Sequence, residues 1–279
     1  MILSLAIFSF LSCNKETSSL DQTSINLVDD DAVSEVAFDD ITNTVDNASI
    51  ILENALGKGD LKSGTILADS CPVITVDNMT PDIWPKTITI DYGAECTGFY
   101  NNTRSGKIII TVSARRDSLN STRTVTFDNY YFNDIKVEGT KEFKNLGPNG
   151  NQNIVISVKL TDGKLTLPDG KIIERAFEHQ REWIAGWATK NIWDDECLIT
   201  GIATGKNIDG ISYTNTIIST LYWKRACEFI VSGVVKIERD GVDPVELDYG
   251  DGTCDAVAIM KRGDHTREIT LKHRHRLML

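Results

Sequence analysis

The chain has 279 residues, 41% of them hydrophobic and 25% charged, which is the composition of a folded globular protein with length for one large domain or two small ones. Its net charge of −11 argues against nucleic acid as a partner, because a phosphate backbone needs a basic face. The most apolar stretch, residues 1–11, is shorter than the roughly 20 residues that cross a bilayer, and no other stretch is apolar enough to do so.

That first run fits the apolar region of a secretory signal, although no Lys or Arg precedes it. It leads into Phe10-Leu11-Ser12-Cys13, which looks like a bacterial lipobox: a small residue before a cysteine that is diacylated and becomes the mature N-terminus. An ordinary cleaved signal and a buried hydrophobic N-terminus are the alternatives. On the lipobox reading, residues 1–12 are a lipoprotein signal peptide and Cys13 carries the lipid, palmitate included. The protein is then lipid-anchored in the outer membrane, in an oxidising space, its membrane contact made through the anchor. Several acyl chains anchor stably where a single chain holds only weakly.

Residues 14–60 hold eleven acidic side chains against Lys15 and Lys58. Residues 13–29 are polar and read as the lipidated N-terminus and a flexible tether, with an end-to-end distance of roughly 20–25 Å. An amphipathic helix is predicted over residues 30–57. Val33, Ile41, Val45, Ala48 and Leu52 recur there at helical spacing, Asp29 to Asp31 supply N-cap oxygens, and Gly57 stops it. One side of this helix is apolar and is expected to pack on a sheet.

Residues 65–276 read as a β-rich body. The runs at 107–113, 122–128, 153–160 and 211–218 are rich in β-branched side chains. Asp162-Gly163, Asp169-Gly170, Asp209-Gly210 and Asp240-Gly241 punctuate the region, and Asp-Gly suits two-residue hairpins that need positive φ. The fold class is mainly β: an extended antiparallel sheet of consecutive hairpins, curved or half-barrel, with one N-terminal helix. Residues 261–276 carry six Lys and Arg against Asp264 and Glu268. They read as a solvated tail, a contact for lipid phosphates, or a partner for the acidic N-terminal segment.

The body contains a repeat. Cys71, a strand, Pro85, a second strand, Asp91-Tyr92-Gly93 and Cys96 are echoed by Cys227, a strand, Pro244, a second strand, Asp248-Tyr249-Gly250 and Cys254. With the strands that follow at 107–112 and 267–271, the two units span 71–112 and 227–271. Paired cysteines in an exported protein are most often disulfides. The repeat favours Cys71–Cys96 and Cys227–Cys254 over cross-pairing between units. Cys197 is left over, as a buried free thiol or as a catalytic one without a local partner base.

No metal, cofactor or catalytic motif emerges. Asp248, Asp251 and Asp255 flank a glycine-rich turn that reads as structural ahead of a calcium loop. His273 and His275 lie in the basic tail and read as solvated ahead of metal-binding. Trp183, Trp187 and Trp193, followed by Asp194-Asp195-Glu196, suit contact with a glycan, or a buried aromatic cluster.

The run Asp91-Tyr92-Gly93, Cys96-Thr97-Gly98, Arg104-Ser105-Gly106-Lys107 and Thr126-Phe127-Asp128-Asn129-Tyr130-Tyr131, continued by Leu247-Asp248-Tyr249-Gly250-Asp251-Gly252-Thr253-Cys254, resembles a family of uncharacterised Bacteroidota lipoproteins. The resemblance covers most of residues 65–272 and implies location and β-rich character, with no activity attached. Lys15-Glu16 resembles the signal that sends such lipoproteins to the cell surface, and Asp117-Ser118-Leu119 resembles an O-glycosylation triplet of the same phylum, which would modify Ser118. The expected function is a non-enzymatic binding or structural module of the cell envelope, with a glycan, lipid or envelope protein as partner. The alternatives are a carrier of a hydrophobic ligand and a protein that binds or processes surface glycans.

Overall fold

The structure, a computed structural model, describes residues 20–57, 64–67, 71–98, 102–189, 191–227 and 229–271. Cys13 with the stretch read as a lipobox, and His273 and His275, lie outside the described residues. Among the described residues one α-helix, α1 (Gln22–Gly57), precedes fifteen strands. These are β1 (Gly64–Leu67), β2 (Val73–Val76), β3 (Lys86–Asp91), β4 (Cys96–Thr97), β5 (Thr103–Val112), β6 (Thr122–Phe132), β7 (Ile135–Pro148) and β8 (Ile154–Thr166). Then come β9 (Ile172–Ala185), β10 (Glu196–Lys206), β11 (Ser212–Lys224), β12 (Ser232–Arg239), β13 (Val242–Asp251), β14 (Val257–Arg262) and β15 (His265–Thr270). Fourteen of them form one sheet in chain order from β1 to β15, with the two-residue β4 pairing β5 off that path. Every pairing is antiparallel, and the sheet is open, with β1 and β15 as its outer strands. The expected sheet of consecutive hairpins is therefore the fold.

Three of the four Asp-Gly pairs are hairpin turns, at 169–170, 209–210 and 240–241. The fourth is not. Asp162-Gly163 lies inside β8, where the register with β9 slips between Leu160 and Gly163 and Asp162 takes φ +52. Positive φ serves a β-bulge as well as a turn. Asn133-Asp134 makes the β6–β7 hairpin instead, with φ +48 and +62 and Phe132 facing Ile135.

The sheet curves around α1. Asp39 to Asn43, a little over one helical turn, contact Arg104 of β5, Lys141 of β7, Arg181 of β9 and Arg225 just beyond β11. A flat sheet would spread β5 to β11 over roughly 29 Å, and a helix with its side chains is only about 10–12 Å across. Bulges help the bend. Register shifts at Ser105/Lys107 and Ile199/Ile202 coincide with Gly106 (φ +75) and Gly201 (φ +139). A Cβ at Gly106 would stand 1.9 Å from the Asn129 carbonyl oxygen, and one at Gly201 2.2 Å from that of Glu178.

The predicted helix face is buried as expected: Val33, Ile41, Val45, Ala48 and Leu52 are all in the core. Full burial of each larger side chain is worth about 1.5–3 kcal/mol. The start of the helix differs. α1 begins at Gln22, so residues 22–29, expected as tether, are its first two turns. Asp21 is the cap, its Oδ1 accepting from the Ser24 N–H at 2.7 Å. Leu27 and Val28 are buried there, and this packing overrides the polar composition of the segment.

The acids of α1 meet inward-facing cations. Arg104 grips Asp40 with two hydrogen bonds, 3.0 and 2.5 Å long. Arg123 holds Asp46 at 2.7 Å and Arg181 holds Asp39 at 2.5 Å. Arg175 pairs with both Asp31 and Glu35. Arg239 and Arg262 converge on Asp21, at 2.9 and 3.3 Å. Burial raises the Asp21 carboxyl, but hydrogen bonds from Ser24 and the fields of Arg239 and Arg262 outweigh it, and the group is held below its usual value. Of the readings open for the basic C-terminal stretch, Arg262 takes the contact with the acidic N-terminal segment.

Both disulfides join the expected partners. Cys71–Cys96 and Cys227–Cys254 have Cα separations of 5.7 and 5.3 Å. The units they close lie toward opposite ends of the sheet, with one revision: the counterpart of β5 beside the Asp-Tyr-Gly strand is β14, and residues 267–271 lie one strand further out. Non-reducing peptide mapping is expected to return these two pairs, with Cys197 alkylated only after unfolding. A Cys71–Cys254 peptide would refute the pairing. Opening the Cys227–Cys254 loop by a double serine substitution is expected to cost about 3–4 kcal/mol.

Candidate binding cleft over the helix

One stripe of α1 borders a hollow, although Asn43 and Ala48 on it are buried and Thr44, Asn47 and Ile51 half-buried. Asn43, Thr44, Asn47, Ala48 and Ile51, three and four residues apart, share one helical face and floor a cleft of about 310 Å³. Pro72, Ile74, Ile90 and Tyr92, from the first disulfide unit, form one wall. Ile192, Trp193, Trp223 and Arg225 form the other, with Cys227 at the edge. The cleft lies between the first disulfide unit on one side and, on the other, the 3-10 turn that carries Trp193 with the end of β11.

Its charges are matched. Asp40 is gripped by Arg104, at the edge of the floor. Arg225 donates to Asn43 Oδ1, and its backbone N–H donates to the Asp195 carbonyl at 2.9 Å. Asp195 itself is buried, and its carboxyl is pushed up to about 7 by burial and by Asp46, against the pull of Arg225 and Arg116. Gly186 (φ +84) makes this burial feasible, since a Cβ there would stand 2.2 Å from Asp195 Oδ1.

The three tryptophans do not share one surface. Trp183 is buried and packs edge-on against half-buried Trp187, with ring centroids 5.4 Å apart. The Arg116 guanidinium lies 4.0 Å from the Trp187 ring centre. Only Trp193 is exposed, at 49%. It stands on a short 3-10 turn, Ile192–Asp194, capped by the Asn191 side chain, which accepts from the Trp193 N–H at 3.2 Å.

The neighbouring acids are engaged separately. Asp194 accepts from the Thr189 hydroxyl at 2.8 Å, Glu196 accepts from the Tyr222 hydroxyl, and Asp195 is buried as described. They do not form a facing pair across the cleft. The Cys197 thiol is fully buried and its pKa is pushed far up by burial, which suits a packing role. In the glycine-rich turn each carboxylate serves the local backbone: Asp248 accepts from the Gly250 N–H, Asp251 from Thr253 and Asp255 from Val257. Among the described residues no cluster of His, Cys, Asp and Glu has the arrangement of a metal site. Ser118 is half-buried in a turn, its N–H donating to the Arg115 carbonyl, between exposed Asp117 and Leu119.

Three other hollows lie away from this stripe of α1, one of them an open depression of about 310 Å³ over Lys159, Phe177 and Ile202. A broad groove of about 990 Å³ crosses β8 to β13, and its rim carries the half-exposed Lys206–Glu174 ion pair. An apolar pocket of about 80 Å³ lies under Val28, Ala32 and Val36, beside Phe229, Leu247 and Ile269. Sequence reasoning missed the cleft because its walls come from segments a hundred residues or more apart. The uncharged amides at positions 43 and 47, one turn apart on a helix whose other large polar groups are mostly acids, were the available signal. Set against known proteins, the chain matches no family model, no curated protein and no solved structure.

Proposed function

We propose that the protein is a lipid-anchored binding module of the cell envelope, without enzymatic activity, and that its ligand seats in the cleft over α1. The observation that carries this reading is the hollow over the helix: about 310 Å³ lies between the Asn43–Ile51 stripe of α1 and exposed Trp193. Ligand pockets begin at roughly 300 Å³. The apolar hollow of about 80 Å³ falls well below that, so the carrier reading has less support. The resemblance to Bacteroidota lipoproteins supports the envelope location, the outer membrane and the cell surface.

The test uses the full chain purified from its own envelope. Native mass spectrometry is expected to show a retained mass that disappears when Asn47→Trp fills the cleft. A retained mass indifferent to that change would move the site elsewhere. Anchoring is tested separately: fatty-acid labelling is expected to vanish in Cys13→Ser, and equal labelling of both proteins would sink it.

A further inference from the structure

We propose that the cleft takes a neutral sugar residue, its ring laid on the Trp193 indole and its hydroxyls on the Asn43 and Asn47 amides; this rests on the binding-module reading above. Trp193 is 49% exposed, unusual for a side chain that is generally well buried. The turn that carries it is fixed by Asn191 and by the Thr189–Asp194 hydrogen bond. A flat apolar ring held on a fixed turn is a preorganised platform, and its ordering cost is already met before a ligand arrives.

The floor supplies the polar half. The Asn47 side chain is half-buried and has no hydrogen-bond partner among the described residues. Asn43 is oriented by Arg225 through its Oδ1, and its NH2 group remains a donor. An acyl chain over these amides would leave them unpaired, which costs about 1–3 kcal/mol for each buried group. A charged ligand would find its counter-charges engaged, Arg104 by Asp40 and Arg225 by Asn43 and Asp195. A ring with apolar C–H faces and equatorial hydroxyls satisfies the indole and the amides together. The cleft volume of about 310 Å³ fits a small ligand and not a folded-in polymer, so a terminal residue of a longer glycan would enter.

The test titrates the folded full chain with methyl mannoside, methyl galactoside and N-acetylglucosamine, by calorimetry and tryptophan emission, and then screens a glycan array. Glucuronate and decanoate serve as charged and apolar controls. At least one neutral sugar is expected to bind, at least tenfold more weakly in Trp193→Ala and in Asn47→Ala, with part of the affinity kept by Trp193→Phe. Melting temperatures should be unchanged, because Trp193 is exposed. Equal affinity in Trp193→Ala, a silent array, or decanoate binding displaced by Asn47→Trp would each overturn the sugar assignment. A silent array with a retained envelope mass still lost in Asn47→Trp would remove the sugar and keep the cleft as a binding site. Loss of both would remove the binding module as well.

Discussion

Ile41→Asp is expected to destabilise the protein by about 4 kcal/mol or more, among the largest effects of a single substitution. Ile41 is 0% exposed at the middle of α1. The new carboxylate would leave water for the core, beside Arg104 and Arg181 that already serve Asp40 and Asp39. For a chain of this size each kcal/mol is worth about 2–4 °C, so melting should fall by on the order of 10 °C. Ile41→Val, which removes one methyl group, should cost only about 0.5–1.5 kcal/mol. Thermal and urea unfolding separate the two variants. A wild-type midpoint for Ile41→Asp would mean that the helix is not part of the cooperative fold.

Lys141→Met is expected to stabilise the protein by about 1–4 kcal/mol at neutral and mildly acidic pH. Lys141 is 1% exposed on β7, and its Nζ donates to the Phe38 carbonyl and the Thr42 hydroxyl, both at 2.6 Å. Burial pushes its ammonium down to about 7, against the opposing field of Asp39. Below that value the group is charged in both states, and the cost of burying the charge is fully felt. Between about 7 and the ordinary 10.5 the unfolded chain keeps the proton and the folded chain gives it up, so wild-type stability rises with pH. The gain from methionine should therefore be greatest at or below pH 7 and fade toward 10.5. Methionine matches the length of the stem, and Thr42 retains its bond to the Phe38 carbonyl at 3.2 Å, so nothing is orphaned. Denaturant midpoints at several pH values decide the matter: an advantage that grows with pH would refute it.

The parts of this fold that were legible in the sequence are those written in local pattern. Val33, Ile41, Val45 and Leu52 mark the helix through their spacing, and the two Asp-Tyr-Gly units identify their own cysteine partners. What was not legible depends on contacts between distant segments. The polar sequence before residue 30 hides two turns of helix, because Leu27 and Val28 gain their value only under the sheet. Asp162-Gly163 has turn chemistry, and only the registers of β7 and β9 make it a bulge. Trp183 and Trp187 lie near Trp193 in sequence, but strand alternation sends Trp183 inward and Arg116 covers Trp187. β9 did carry a readable signal. Glu174, Glu178 and Glu182 alternate with Arg175, Phe177, His179, Arg181 and Trp183, so the inward row mixes aromatic rings with cations and anticipates an acidic partner.

The clamp of Arg239 and Arg262 on Asp21 bears on how the chain reaches its native state. The Asp21–Arg262 contact closes over 241 positions. Each neighbouring hairpin is a local event, quick to form. The helix, made early in synthesis, finds its cap's counter-charges only when β12 and β14 exist. An unclosed meander would ordinarily tolerate fraying from its far edge, one ribbon at a time. Here the far edge helps secure the near end, so loss of β14 would remove one of the two arginines that hold the first turn of α1 as well as shorten the sheet. Folding should accordingly be slow for its hairpin content and close to all-or-none, with the loop-closure entropy met before the long-range contacts offset it.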